Sequence, residues 1–230
     1  SEIVKVLPGV EVEYIGDTGR APYGNKPPLL IKSYSAQIVR KLEALGCGVF
    51  ISACNSISVH MTDELISELK IRKENWLDMV RATELCVAKN LNIKDKKVLV
   101  VATKATIDSE GYRGVFGDSY EGLAMPDLAG MIERGAGSAD IKDYIMATLK
   151  NVKYRPDYIF YGCTHYPLVE QEFGDAAEEL GWRGYTFLDP ATYVAQIVRD
   201  TLTQSDLDLE NSEKEILNTS KKINTGSGVS

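Results

Sequence analysis

The sequence predicts an α/β protein of two similar parallel-sheet lobes, with helices on both faces and an active site in the cleft between them. Three observations lead there. Short apolar runs alternate with segments of helical period, the pattern of a parallel sheet covered by helices. The two halves of the chain carry matching turns, in which an apolar strand, a small residue, a cysteine and polar residues follow one another. Finally, 44% of the 230 residues are hydrophobic and 26% are charged, enough for one large or two small cores.

The elements follow in order. Val10 to Ile15 alternates apolar and acidic residues and reads as a short strand, broken by Gly16-Asp17. Pro27-Pro28 opens a helix in which Leu30, Tyr34, Ile38 and Leu42 recur every four positions, and Gly46 closes it. Gly48 to Ala53 is a buried strand, followed by Cys54-Asn55-Ser56 and a helix to about Lys70. A helix over Met79 to Lys89 and a buried strand over Lys97 to Ala102 come next. The Gly- and Asp-rich stretch from Asp108 to Gly122 carries no clear period. Ala139 to Lys150 is helical and Asp157 to Tyr161 a strand, with Pro167 suited to the first turn of the next helix. Trp182 to Leu188 is a strand with a polar break, Pro190 to Leu202 a helix, and the polar end from Gln204 a frayed tail. One lobe is expected from 1–93 plus 188–230, the other from 94–187.

Charge and composition exclude several classes. A net charge of −7 repels nucleic acid and anionic membranes, so neither is expected as a partner. No apolar run nears the ~20 residues of a membrane span, and Ser1 to Val6 lacks the n-region of a secretory signal. The four cysteines, Cys47, Cys54, Cys86 and Cys163, form no CxxC pair and read as free thiols of a cytoplasmic protein. Cys163 and His165 lie close in sequence, but no further Cys or His cluster completes a metal site, so no metal is expected.

The matched turns are Phe50-Ile51-Ser52-Ala53-Cys54-Asn55-Ser56 and Ile159-Phe160-Tyr161-Gly162-Cys163-Thr164-His165. Both cysteines fall at the carboxyl end of a strand, where parallel sheets hold ligands. Two opposed thiols suit a reaction that removes a proton from one face of a carbon and delivers one to the other. A helix N-terminus would lower each thiol below its free value near ~8.5. With each sulfur roughly 3–3.5 Å from the reacting carbon, the two would lie about 7 Å apart. Cys47 and Cys86 lack this context and read as core residues.

These residues resemble the aspartate/glutamate racemase superfamily, and glutamate racemases in particular. GCTHYPL at Gly162–Leu168 matches the second cysteine motif, and ACNS at Ala53–Ser56 is similar to the first, usually ACNT. GDTGRAPYGNK at Gly16–Lys26 resembles the loop carrying Pro-Tyr-Gly, and ATKATIDSEGY at Ala102–Tyr112 the start of the second lobe. MPDLAGMIERG at Met125–Gly135 and LDPA at Leu188–Ala191 are looser matches, and the likeness runs from about Val10 to about Val198.

The resemblance implies interconversion of L- and D-glutamate, with Cys54 and Cys163 exchanging the α-proton. It implies that His165 and Glu133 assist Cys163, and that Tyr23, Gly24, Asn55, Ser56, Thr106, Thr164 and His165 hold the substrate. No cofactor is implied, and no Gly-rich phosphate loop for pyridoxal phosphate is visible. Supply of D-glutamate for peptidoglycan is the implied role, and a homodimer is an assembly the resemblance allows. Two alternatives stand beside it: a racemase for aspartate, a hydantoin or another acidic amino acid, and a non-catalytic amino-acid-binding or regulatory relative.

The sequence also departs from the family. No Asp-Ser-Gly stands upstream of Val10, where relatives place the partner of the first cysteine. The expectation is a chain trimmed from a longer protein at this end, with a final helix also cut short. Ser56-Ile57 replaces Thr-Ala, Met125 replaces a cysteine, and Leu77-Asp78-Met79-Val80-Arg81-Ala82-Thr83 stands where glutamate racemases commonly have a Val-Ile-Glu-Pro-Gly-like run.

Overall fold

The computed structural model describes residues 11–90, 92–194 and 196–201. By its contacts the chain divides into two units. The first combines residues 1–10 with 195–230, and its described part, 196–201, is helical. The second, Glu11–Val194, holds both cysteine turns.

The second unit contains two parallel sheets. The smaller pairs β1 (Phe50–Ser52) with β2 (Trp76–Asp78), Ser52 opposite Asp78. The larger has four strands, β3 (Val98–Ala102), β4 (Tyr120–Ala124), β5 (Tyr158–Gly162) and β6 (Thr186–Leu188), in the order β4-β3-β5-β6. All its pairings are parallel. The helices are α1 (Pro28–Ala44), α2 (Asn55–Ser58), α3 (Asp63–Glu68), α4 (Met79–Asn90), α5 (Lys104–Asp108), α6 (Arg113–Phe116), α7 (Leu128–Glu133), α8 (Ser138–Leu149) and α9 (Glu170–Glu179).

Every residue of β3 is fully buried, as a central strand covered on both faces requires. Its side chains alternate between two cores. Leu99 and Val101 join Ile159 and Tyr161 under Leu128, Ile145 and Phe173 of α7, α8 and α9. Val98, Val100 and Ala102 join Phe160 under Tyr112 and Phe116. The small residue that precedes Cys163 has a packing reason. A Cβ on Gly162 would lie 2.7 Å from the Cβ of Ala102, its partner across the sheet.

The structure corrects several expectations. Glu11–Ile15 is not a strand, and Val10 lies outside the described residues. Tyr14 is 86% exposed, and among the described residues the segment has no neighbouring strand to pair with. In α1 the buried line is Ile31, Ser35 and Val39, one residue on from the expected stripe, and Leu30 is exposed. Ser35 can be buried because its hydroxyl donates to the Ile31 carbonyl at 2.8 Å. The helix does end at Gly46, whose φ of +89° permits the paired closing bonds Cys47 N to Leu42 O and Gly46 N to Glu43 O.

The helix expected after Cys54 is two helices, because Thr62 starts a new one by accepting from Leu65 N. Strands β2 and β4 were not expected. The sequence Tyr-Glu-Gly-Leu-Ala of β4 has little strand propensity, and it is extended because it pairs along the whole of β3. Residues 191–194 and 196–201 are helical as expected, while Leu202, the tail from Gln204 and Ser1–Gly9 lie outside the described residues.

Candidate active site

Cys54 and Cys163 stand just beyond β1 and β5, each where a strand hands over to a helical turn. Cys54 is the extended residue that precedes α2, with φ −136° and ψ 118°. Cys163 leads through His165 into a 3₁₀ turn at Tyr166–Val169. The environments repeat as the sequences do. Burial pushes the Cys54 thiol up, opposed by the backbone N–H groups of Ile57 and Ser56. Burial pushes the Cys163 thiol up to about 12, opposed by those of His165 and Tyr166. In both turns the opposing groups stand two and three residues after the sulfur. The expected lowering is therefore reversed: the helix-terminal dipoles are present, but loss of water around the sulfur outweighs them. Charge on Cys54 is among the causes that raise Cys163, so the two sulfurs feel each other.

Beside Cys163 stand a histidine and a carboxylate in line. His165 Nε2 lies 3.0 Å from Glu133 Oε1, and Cys163 Sγ lies 3.7 Å from His165 Nδ1. Donation from Nε2 to the carboxylate leaves the Nδ1 lone pair facing the thiol. Thr164, between them, is exposed.

The Cys54 side is lined by buried polar groups. Asn55 accepts from the Tyr112 hydroxyl at Oδ1, while its buried Nδ2 has no partner. Ser56, Thr103 and Thr106, all buried, close a triangle of hydroxyls. Ser56 Oγ lies 2.9 Å from Thr103 Oγ1 and 3.3 Å from Thr106 Oγ1, and the two threonines are 3.1 Å apart. The Ser56 hydroxyl thus bridges to the segment that follows β3.

The Tyr23-Gly24 loop closes on this triangle. A Cβ on Gly24 would lie 2.4 Å from Thr103 Cβ, so only glycine fits. Ala105 N donates to Gly24 O at 2.8 Å, and the Tyr23 hydroxyl donates to Asp17, which also holds Arg20 at 2.6 Å.

The structure thus gathers Gly24, Ser56 and Thr106 around Thr103, and His165 and Glu133 beside Cys163. It also shows residues the sequence reading passed over. Thr103 directly follows the apolar run of β3, and Tyr112 ends the segment ATKATIDSEGY, so both stood inside recognised patterns. Asp78 is a third, buried at the end of β2, where its carboxyl is pushed up by burial while accepting from Trp76 Nε1 at 2.7 Å and Arg81 N at 2.9 Å. Cys86 is buried and Cys47 packs at the margin of the core beside β1. Among the described residues no three His, Cys, Asp or Glu side chains converge as a metal site, and no helix is long and apolar enough to cross a membrane.

Comparison with known proteins gives the same direction. No family model matches the chain. It is 32% identical over 174 residues to a glutamate racemase of Streptococcus pneumoniae, covering 73% of this chain and 64% of that protein's length. The structure of glutamate racemase from Thermus thermophilus in complex with β-chloro-D-alanine superposes with a TM-score of 0.75 at 26% identity, over 90% of this chain and 75% of that one. That of Francisella tularensis glutamate racemase in complex with D-glutamate gives 0.75 at 25% identity, over 90% and 76%. The chain is thus similar to glutamate racemases in sequence and in fold, and it spans about 64% of the length of the curated relatives it matches.

Proposed function

We propose that this chain carries the two-thiol centre of a cofactor-independent glutamate racemase. The observation that supports it most is the pair of matched, electrostatically coupled thiols at the ends of β1 and β5. Ionising one of two neighbouring acids disfavours ionising the other, so the pair disfavours two thiolates and a thiolate formed on one side faces a protonated thiol on the other. A racemase needs that pairing once substrate is bound. The thiolate takes the α-proton of glutamate, breaking C–H and forming S–H, and the opposite thiol protonates the other face and becomes the thiolate. The substrate's ammonium, brought beside a buried sulfur, would favour the thiolate that burial opposes.

In this reading Asn55 Nδ2, Ser56, Thr106, Thr164 and the Tyr23-Gly24 backbone bind the ammonium and carboxylates, and His165 with Glu133 moves protons to and from Cys163. The two lobes are 1–93 plus 188–230 and 94–187, with the active site in the cleft between them. The wider proposal is a cytoplasmic enzyme, a homodimer, supplying D-glutamate to peptidoglycan.

The deciding experiment is deuterium uptake at Cα of L- and D-glutamate in heavy water, with Cys54→Ser and Cys163→Ser as controls. Uptake with both enantiomers, reduced by about 10²–10⁴-fold in each variant, is expected. A folded protein that exchanges neither enantiomer overturns the reading, and exchange of aspartate alone transfers it to that substrate.

A further inference from the structure

Asn55 and Tyr112 lie 57 residues apart in the chain and meet next to Cys54. Asn55, 2% exposed, is the first residue of α2, directly after Cys54. Its Oδ1 accepts from the Tyr112 hydroxyl, and its Nδ2 is buried without a partner. A buried amide donor left unpaired is costly, so its persistence points to a partner that arrives with the ligand.

Tyr112 has little freedom to do otherwise. Its ring, 1% exposed, lies 4.9 Å from that of Phe160 and 6.3 Å from that of Phe116. Burial raises its hydroxyl well above the ordinary phenol range, charge on Asp78, Cys54 and Cys163 adds to this, and a hydrogen bond with the Thr83 side chain opposes it. The phenol therefore keeps its proton while either thiol ionises and stays able to donate. A donor fixed on this side makes the amide present its oxygen here and turn its nitrogen the other way. With donor and acceptor ends exchanged, the Asn55 oxygen would face an incoming carboxylate and repel it.

We propose that Tyr112 is a positioning residue that sets the Asn55 amide with its nitrogen toward a carboxylate of the bound amino acid. The proposal rests on the glutamate-binding reading above and adds to it a group that never touches substrate. It also ties the segment that follows β3 to the residue after Cys54.

The test uses Tyr112→Phe, which keeps the ring, together with Asn55→Ala and the double variant. Tyr112→Phe is expected to raise KM for D-glutamate about 3- to 10-fold with kcat within about twofold, since uniform binding is lost. The double variant is expected to match Asn55→Ala alone, because Tyr112 acts only through that amide. In the ligand-free protein, the Asn55 side-chain NH₂ resonances are expected to shift on Tyr112→Phe.

Additive KM effects in the double variant, or Asn55 resonances that stay in place, overturn the proposal. If the protein neither binds nor exchanges glutamate, the racemase reading fails, and the resonance shift still decides the orienting contact. If Tyr112→Phe does not fold, Asn55→Asp keeps the acceptor for Tyr112 and removes the donor. Weakened D-glutamate binding in that variant supports the proposal, and wild-type binding overturns it.

Discussion

Substituting Gly24 by alanine should damage both stability and exchange. The new Cβ would sit 2.4 Å from Thr103 Cβ, 2.5 Å from its Cγ2 and 2.8 Å from its Oγ1. Ordinary carbon contacts need about 3.5–4.0 Å, so roughly 1 Å or more must open. Rotation of Thr103 cannot provide it, because the nearest atom is Cβ itself. Turning the side chain would also break its bonds to Ser56 at 2.9 Å and Thr106 at 3.1 Å. The loop must then move, against the 2.8 Å bond from Ala105 N to Gly24 O. Such overpacking costs about 1–3 kcal/mol. For a chain of this size each kcal/mol lowers Tm by about 2–4 °C. Displacing a substrate-holding backbone by about 1 Å can lower turnover by about 10²-fold. Calorimetry measures the first effect and Cα–deuterium exchange the second. Gly24→Ala/Thr103→Ala keeps the offending Cβ and should not recover, whereas Gly24→Ala/Thr103→Gly removes it and should recover part of the exchange. A Gly24→Ala protein with unchanged Tm and exchange would refute the packing argument.

Four further outcomes are expected. Cys163, held up to about 12, should be alkylated by iodoacetamide at pH 8 far more slowly than a free thiol. Its thiolate fraction there is lower by on the order of 10³, and a rate that levels off by pH 9, as for a free thiol near ~8.5, would contradict this. The same shift makes stability fall with alkali. It is intact below ~8.5, where folded and unfolded thiols are both protonated, and is lost as pH rises toward about 12, because only the unfolded thiol has released its proton. Denaturant titrations of Cys163→Ser should show a flatter decline over that window. Glu133→Ala should reduce kcat about tenfold by freeing the His165 tautomer, with Glu133→Gln retaining most of the rate. Because the pair is about a third to a half exposed, its stability change should stay below about 1 kcal/mol, which calorimetry checks. Leu99→Ala should cost about 2–5 kcal/mol in urea unfolding, since Leu99 is fully buried in the centre of β3.

Much of the fold was legible because it depends on local pattern. The runs at Phe50–Ser52, Val98–Ala102 and Tyr158–Gly162 are apolar and bounded by small or polar residues, and they are strands. The two cysteine turns were legible as a repeat, since strand, cysteine and helix start are encoded within seven residues. Reading failed where a neighbour decides. Val10–Ile15 has strand alternation, but its described residues have no partner strand; Tyr120–Ala124 has little alternation and pairs with β3 throughout. In α1 a buried serine hid the true stripe, because a satisfied hydroxyl counts as polar in sequence and as core in space.

The sequence by itself singled out the residues to which the proposed chemistry is assigned: two thiols at strand ends, a histidine beside one of them, and a Pro-Tyr-Gly loop. These are matters of residue type and spacing along the chain. Only the tertiary structure decided how those groups behave. Helix-start position argued for acidic thiols, yet burial by residues distant in sequence raises both. Ser56 became one corner of a hydroxyl triangle completed 47 and 50 residues later. Tyr112 gained its place by meeting Asn55 across 57 residues. Desolvation and hydrogen bonding depend on what the fold brings near, and no local pattern records that.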